Sequence, residues 1–119
     1  MDSVIGFQIT AADEDRITDF YTGVFDWGKS PGPHEHVTQL DTGQDNVDGS
    51  VIGRGEHIPD YVSLVIAVAD LEASLARVVE HGGTVVRPPF TLPNGDTLAI
   101  AEDPEGHILT LQARPDGKG

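Results

Sequence analysis

Residues Gly6 to Tyr21 read GFQITAADEDRITDFY, and 57 positions later Ser63 to Val78 read SLVIAVADLEASLARV. At that offset Asp13 falls on Asp70, Ile9 on Ile66 and Ile17 on Ser74. A chain of 119 residues that writes one strand–turn–helix opening twice is confined to a duplicated fold. One half of it could not hide both a helix face and a sheet face by itself.

The first half is read as follows. Val4 to Thr10 alternates, with Ile5, Phe7 and Ile9 on one side and Val4, Gly6, Gln8 and Thr10 on the other, which is a half-buried strand. Asp13 is placed to cap the next helix and Asp15 to favour its first turn. Ile17, Phe20, Tyr21, Val24 and Phe25 recur at the spacing of one helical face and are expected in the core. Gly28 to Pro33 is expected to break regular structure. His36 to Asp41 is a second strand, and Val47 to Arg54 a third, with a kink near Gly49 or Gly53 that could split it. Gly55 to Asp60 is the natural linker.

The second half repeats the plan. Tyr61 to Val68 is a strand, Asp70 a cap, and Leu71, Leu75, Val78 and Val79 a helix face, ended by Gly82-Gly83 after His81. Thr84 to Arg87 is a strand halted by Pro88-Pro89, Asn94-Gly95 a turn, and Thr97 to Glu102 with His107 to Gln112 a hairpin. The expectation is therefore an α+β fold of two βαβββ modules forming a cleft. It is one domain over 1–119, with a first module over 4–54, a second over 61–112 and a tail over 113–119, expected to be frayed from Arg114 to Gly119.

Composition narrows the function. Twenty acidic side chains face seven lysines and arginines, a net charge of −13. Such a surface repels nucleic acid and anionic membranes, so neither is an expected partner. The acid is dispersed, which fits either an ordinary solvated surface or adaptation to high salt; a melting temperature that rises in molar salt would mark the second. No apolar run approaches the roughly 20 residues of a membrane span, and no signal peptide is read at the N-terminus. With no cysteine there is no disulfide and no thiolate ligand, which suits a cytoplasmic protein.

The twin βαβββ plan, the helix starts DEDRITDFY and DLEASLARV, VFDW closing the first helix, EHGGTV after the second and the ending DPEGHILTL together resemble the vicinal oxygen chelate superfamily. That group includes glyoxalase I, extradiol dioxygenases and bleomycin- or fosfomycin-resistance proteins. The resemblance runs from about Val4 to Gln112. It implies a homodimer and, in members with a metal, ligands on the first and last strands of each half. Carried over residue by residue, those positions fall on Gly6, Ser63 and Thr110, with the fourth somewhere in 49–53, where there is no acid and no histidine. No metal site and no cofactor are therefore expected.

If Phe7 and Ile9 pack on the first helix, Gly6, Gln8 and Thr10 point into the cleft, and by the repeat so do Ser63, Val65 and Ala67, with Ile108, Thr110 and Gln112 from the last strand. The expected ligand-binding residues are Gln8, Thr10, Trp27, His36, Thr38, Ser63, Val65, Thr110 and Gln112. Short neutral groups with a few hydrogen-bonding points fit a partly apolar small molecule. The leading expectation is metal-independent binding of such a molecule, as in drug-sequestering members of the superfamily, with a cationic ligand suited to the acidic surface. The alternative is a lyase or isomerase using His36 or a nearby carboxylate, with Glu35 and His57 as further catalytic candidates. A third is a structural partner whose cleft is filled by its own side chains. His34 and His36 form a possible half-site for metal, read instead as a polar strand entrance. His81 is read as a helix-end cap and His107 as solvent-facing.

Overall fold

The computed structural model describes residues 2–32, 35–43, 47–53 and 61–114. The chain divides into two compact units, Gly6–Val62 and Met1–Ile5 with Ser63–Gly119.

In the first unit the order is β1 (Ser3–Ala11, which starts in the other unit), α1 (Glu14–Phe25), β2 (Gly28–Pro31), β3 (Val37–Asp41) and β4 (Asp48–Gly53). Its strands lie in the order β2-β3-β4-β1. The β1–β4 pair is parallel, with Phe7 opposite Gly49, and the others are antiparallel. Ala11, Leu40 and Val51 are buried under Ile17 and Tyr21 of α1, with Phe7 and Trp27 packed beside them.

The second unit repeats this with β5 (Val62–Val68), α2 (Leu71–Glu80), β6 (Thr84–Thr91), β7 (Thr97–Glu102) and β8 (Ile108–Ala113). The strand order is β6-β7-β8-β5, again with its first and last strands parallel. Its core is Val68, Leu71, Leu75, Ala99, Ala101 and Leu111, joined by Ile66, Val78, Val85 and Ala113. The two helix starts match closely. Asp13 (φ −127°, ψ 97°) accepts from the Arg16 N–H at 3.1 Å, and Asp70 (φ −130°, ψ 105°) from the Ala73 N–H at 3.0 Å. The α+β fold of two βαβββ modules is thus observed. No helix among the described residues is long and apolar enough to cross a membrane.

Several expectations require correction. Gly28–Pro31 is a strand, fully exposed at the edge, where four residues of weak propensity are held by pairing with β3. The strand expected to stop at Pro88-Pro89 runs on to Thr91. It too is an edge strand, whose register shifts between Val85 and Phe90 accommodate residues that lack a ladder donor. The kink near Gly49 or Gly53 does not split β4, which is paired with β1 from Asp48 to Gly53. Arg114 is not frayed, because its N–H donates to the Val68 carbonyl at 3.0 Å. Phe20, Val24 and Phe25 are exposed rather than in the core, because the apolar arc of α1 is wider than the sheet beneath it. The expected linker, His34, His57 and the tail beyond 114 lie outside the described residues.

Candidate functional site

Alternation along β1 puts Phe7 and Ala11 on the helix side, so Gly6, Gln8 and Thr10 face the other way. In the second unit Ile66, Val68, Leu111 and Ala113 lie on the helix side, and Ser63, Val65, Ala67, Thr110 and Gln112 opposite. These faces, away from the helices, carry two built polar arrangements.

In the second unit Ser63 Oγ and Thr110 Oγ1 are 2.9 Å apart, 2% and 1% exposed. Val65 lies opposite Thr110 in the parallel pair and is buried, while half-buried Gln112 lies opposite Ala67. In the first unit buried Thr10 binds Tyr61 from both sides. Its N–H donates to the Tyr61 carbonyl at 3.0 Å, and the Tyr61 N–H donates to Thr10 Oγ1 at 2.8 Å. Half-buried Gln8 sits on the same face as Thr10.

His36, Thr38 and Trp27 belong to the helix side of the first unit, apart from Gln8 and Thr10. Thr38 shares the parity of Leu40, and its hydroxyl donates to Glu14 Oε2 at 2.5 Å. Trp27 stacks on Tyr21 (5.9 Å, 9° between planes) and on Phe25 (5.2 Å, 30°), with Phe7 tilted against it. His36 is not in a strand. It occupies the turn before β3 at φ 69°, with its carbonyl accepting from the Gly53 N–H at 2.7 Å. It borders an open depression of about 450 Å³ lined also by Ala12, Asp13, Glu14, Asp15 and Gly53. Glu35 is exposed in the same turn. Glu14, Asp15 and Gly53 had not been expected beside His36. Only the return of β4 past the start of α1 brings them there, and no local pattern signals that.

The positions that the resemblance marks for metal ligands do not fit a divalent cation. Gly6 offers no side-chain donor, and Ser63 and Thr110 offer neutral hydroxyls committed to each other. Among the described residues no group of three His, Cys, Asp or Glu side chains is placed to hold a metal ion.

A family model for a glyoxalase-like domain matches residues 6–111. "Putative glyoxylase CFP32" of Mycobacterium tuberculosis is 27% identical over 110 residues, 87% of this chain and 42% of that protein, so the chain spans about two fifths of its length. Among solved structures, a glyoxalase/bleomycin resistance protein/dioxygenase superfamily member from Vibrio splendidus aligns at 17% identity and TM-score 0.65, covering 95% of this chain and 98% of that one. The Mn(II)-bound glyoxalase of Novosphingobium aromaticivorans aligns at 10% identity and TM-score 0.64, covering 93% of this chain and 37% of that one. At such identities the structural likeness is one of fold.

Proposed function

Because the chain belongs to the glyoxalase-like domain family, we propose that it binds a small organic molecule on the sheet faces turned away from its helices, and does so without a metal ion. The observation that carries this is the Ser63–Thr110 hydroxyl pair. A divalent ion held tightly by a protein draws most of its binding from anionic or imidazole donors. Two buried hydroxyls bonded to each other provide neither, whereas they suit a neutral, partly apolar lining with Val65 and Gln112 beside them. The net charge of −13 favours a cationic ligand over an anionic one.

The test is calorimetry with Mn2+, Zn2+ and Ni2+, followed by a thermal-shift screen of 2-oxoaldehyde–thiol adducts and cationic antibiotics. The expected result is no stoichiometric metal isotherm, and a rise in melting temperature with an organic ligand that is recovered unchanged. A tight one-to-one metal isotherm sinks the reading.

A second reading, a lyase or isomerase, is favoured by the depression in which His36 stands near Glu14 and Asp15. An imidazole beside carboxylates could move a proton on a substrate held there. Under that reading His36→Ala abolishes turnover of a substrate found by the same screen while the fold persists. Undiminished turnover would dismiss it.

A further inference from the structure

The hairpin between β6 and β7 is closed by a turn with a demand that glycine meets best. The Gly95 N–H donates to the Leu92 carbonyl at 2.9 Å, and the Leu92 N–H to the Asp96 carbonyl at 2.8 Å. Pro93 and Asn94 are therefore the central residues of a β-turn. Gly95 follows at φ 95°, a left-handed position where a side chain would be strained.

That demand sets beside an asparagine the one residue type with no Cβ to shield its backbone nitrogen. A Cβ built on Gly95 meets nothing within 4 Å, and Asn94 and Gly95 are both exposed, so water reaches them. Such a pair can react with itself. The Gly95 nitrogen attacks Asn94 Cγ, and the new C–N bond closes a cyclic imide. The Cγ–Nδ2 bond breaks, and Nδ2 leaves as ammonia with the proton from the Gly95 nitrogen. Water then opens the imide at either of its carbonyls. One opening leaves an aspartate at position 94. The other leaves an isoaspartate, whose main chain runs through the side-chain carbon and is longer by a methylene.

The closed hairpin opposes the attack. The Gly95 N–H is held by the Leu92 carbonyl, Asn94 Oδ1 accepts from the Asp96 N–H at 3.0 Å, and Asn94 Nδ2 donates to Asp96 Oδ2 at 3.0 Å. Attack requires the Gly95 amide to lose its proton and Asn94 Cγ to turn onto it, which gives up these bonds. It also builds negative charge next to the Asp96 carboxylate. The reaction is thereby restricted to molecules in which the hairpin is open. The product cannot restore the turn, because a carboxylate then faces Asp96 where an amide donor stood. In the isoaspartate form the longer main chain also no longer fits the Leu92–Asp96 pairing.

We infer that Asn94 is a site of spontaneous covalent modification, held off by the closed β6–β7 hairpin and released when it opens. Product at position 94 accumulates as a record of that opening.

The test is incubation of the full chain near neutral pH, folded and in urea, followed by peptide mapping and isoaspartate methyltransferase labelling. Conversion at position 94 should be at least about tenfold slower in the folded protein. In urea Asn46 should convert more slowly than Asn94, because the residue after it is the branched Val47. Pro93→Gly removes the residue that presets the turn. It should speed conversion in the folded protein several-fold and leave the rate in urea unchanged. Equal rates in the folded protein and in urea overturn the inference. So does an Asn94 that never converts in urea or converts there no faster than Asn46, or a folded Pro93→Gly protein that converts no faster than the unaltered one. Should Pro93→Gly fail to fold, the ratio of rates in the unaltered protein still decides.

Discussion

Ser63 Oγ and Thr110 Oγ1 satisfy each other at 2.9 Å inside a sheet face from which water is excluded. Ser63 Oγ also lies 3.3 Å from the Leu64 carbonyl. Removing one hydroxyl strips its neighbour of a buried partner, and that loss costs more than the bond itself contributes. Ser63→Ala and Thr110→Val are each expected to destabilise the protein by about 1–3 kcal/mol. The double variant should lose less than the sum, by about 1 kcal/mol. Urea denaturation of the four proteins checks this, and strict additivity would show that the hydroxyls are not coupled.

Phe7 and Gly49 make a second pair, set by the parallel register of β1 and β4. The Phe7 ring covers Gly49 so closely that an added Cβ would come within 2.2 Å of it. Gly49→Ala must displace the ring, which packs against Trp27 with centroids 5.9 Å apart. The expected cost is about 1–3 kcal/mol of overpacking, with a changed Trp27 emission spectrum because it is the sole tryptophan. Phe7→Leu in the same chain should recover part of the loss. An unchanged urea midpoint in Gly49→Ala would refute the packing described.

These two pairs show where reading residues stops. The strands β1 and β5, the caps Asp13 and Asp70 and the side of the sheet on which Phe7, Ile66 and Leu111 lie were legible, because each rests on local periodicity or on a bond within three residues. The partners of Ser63 and Gly49 were not, because they are fixed by register between strands 47 and 42 positions apart. Strand β2 was missed because GKSP has no strand signal of its own and is held by its neighbour. The face of α1 was misjudged for a different reason. Spacing identifies an apolar arc but not how much of it a sheet can cover, and only Ile17 and Tyr21 are covered. At the candidate site the parity of Gln8, Thr10, Thr110 and Gln112 was legible, whereas the grouping of His36 with Glu14, Asp15 and Gly53 depends on the return of β4.

Thr18 gives a stabilising prediction. It is 2% exposed at the inner face of α1, and its hydroxyl has no hydrogen-bond partner among the described residues. The repeat places Leu75 at the equivalent position of α2, where it belongs to the core. Thr18→Val keeps the shape and removes an unpaired buried polar atom, so stability should rise by about 1 kcal/mol. A lower urea midpoint would mean that the hydroxyl is satisfied after all.

The loop between β7 and β8 carries a pH signature. Asp103 accepts from the His107 N–H at 3.0 Å and the Glu105 N–H at 2.9 Å, and the His107 ring nitrogen Nδ1 lies 2.8 Å from its second oxygen. The His107 backbone donor foremost, with the ring and the Glu105 N–H adding to it, holds the Asp103 carboxyl below its ordinary value. A carboxyl depressed on folding stabilises the native state above its unfolded pKa, and that contribution disappears as pH falls through the folded value. In a carbon-detected titration Asp103 should ionise at lower pH than an aspartate without such donors. His107→Ala should raise the Asp103 pKa only part of the way, because the backbone donor remains. A full return to the ordinary value would assign the whole effect to the ring, and no change at all would remove the ring from the account.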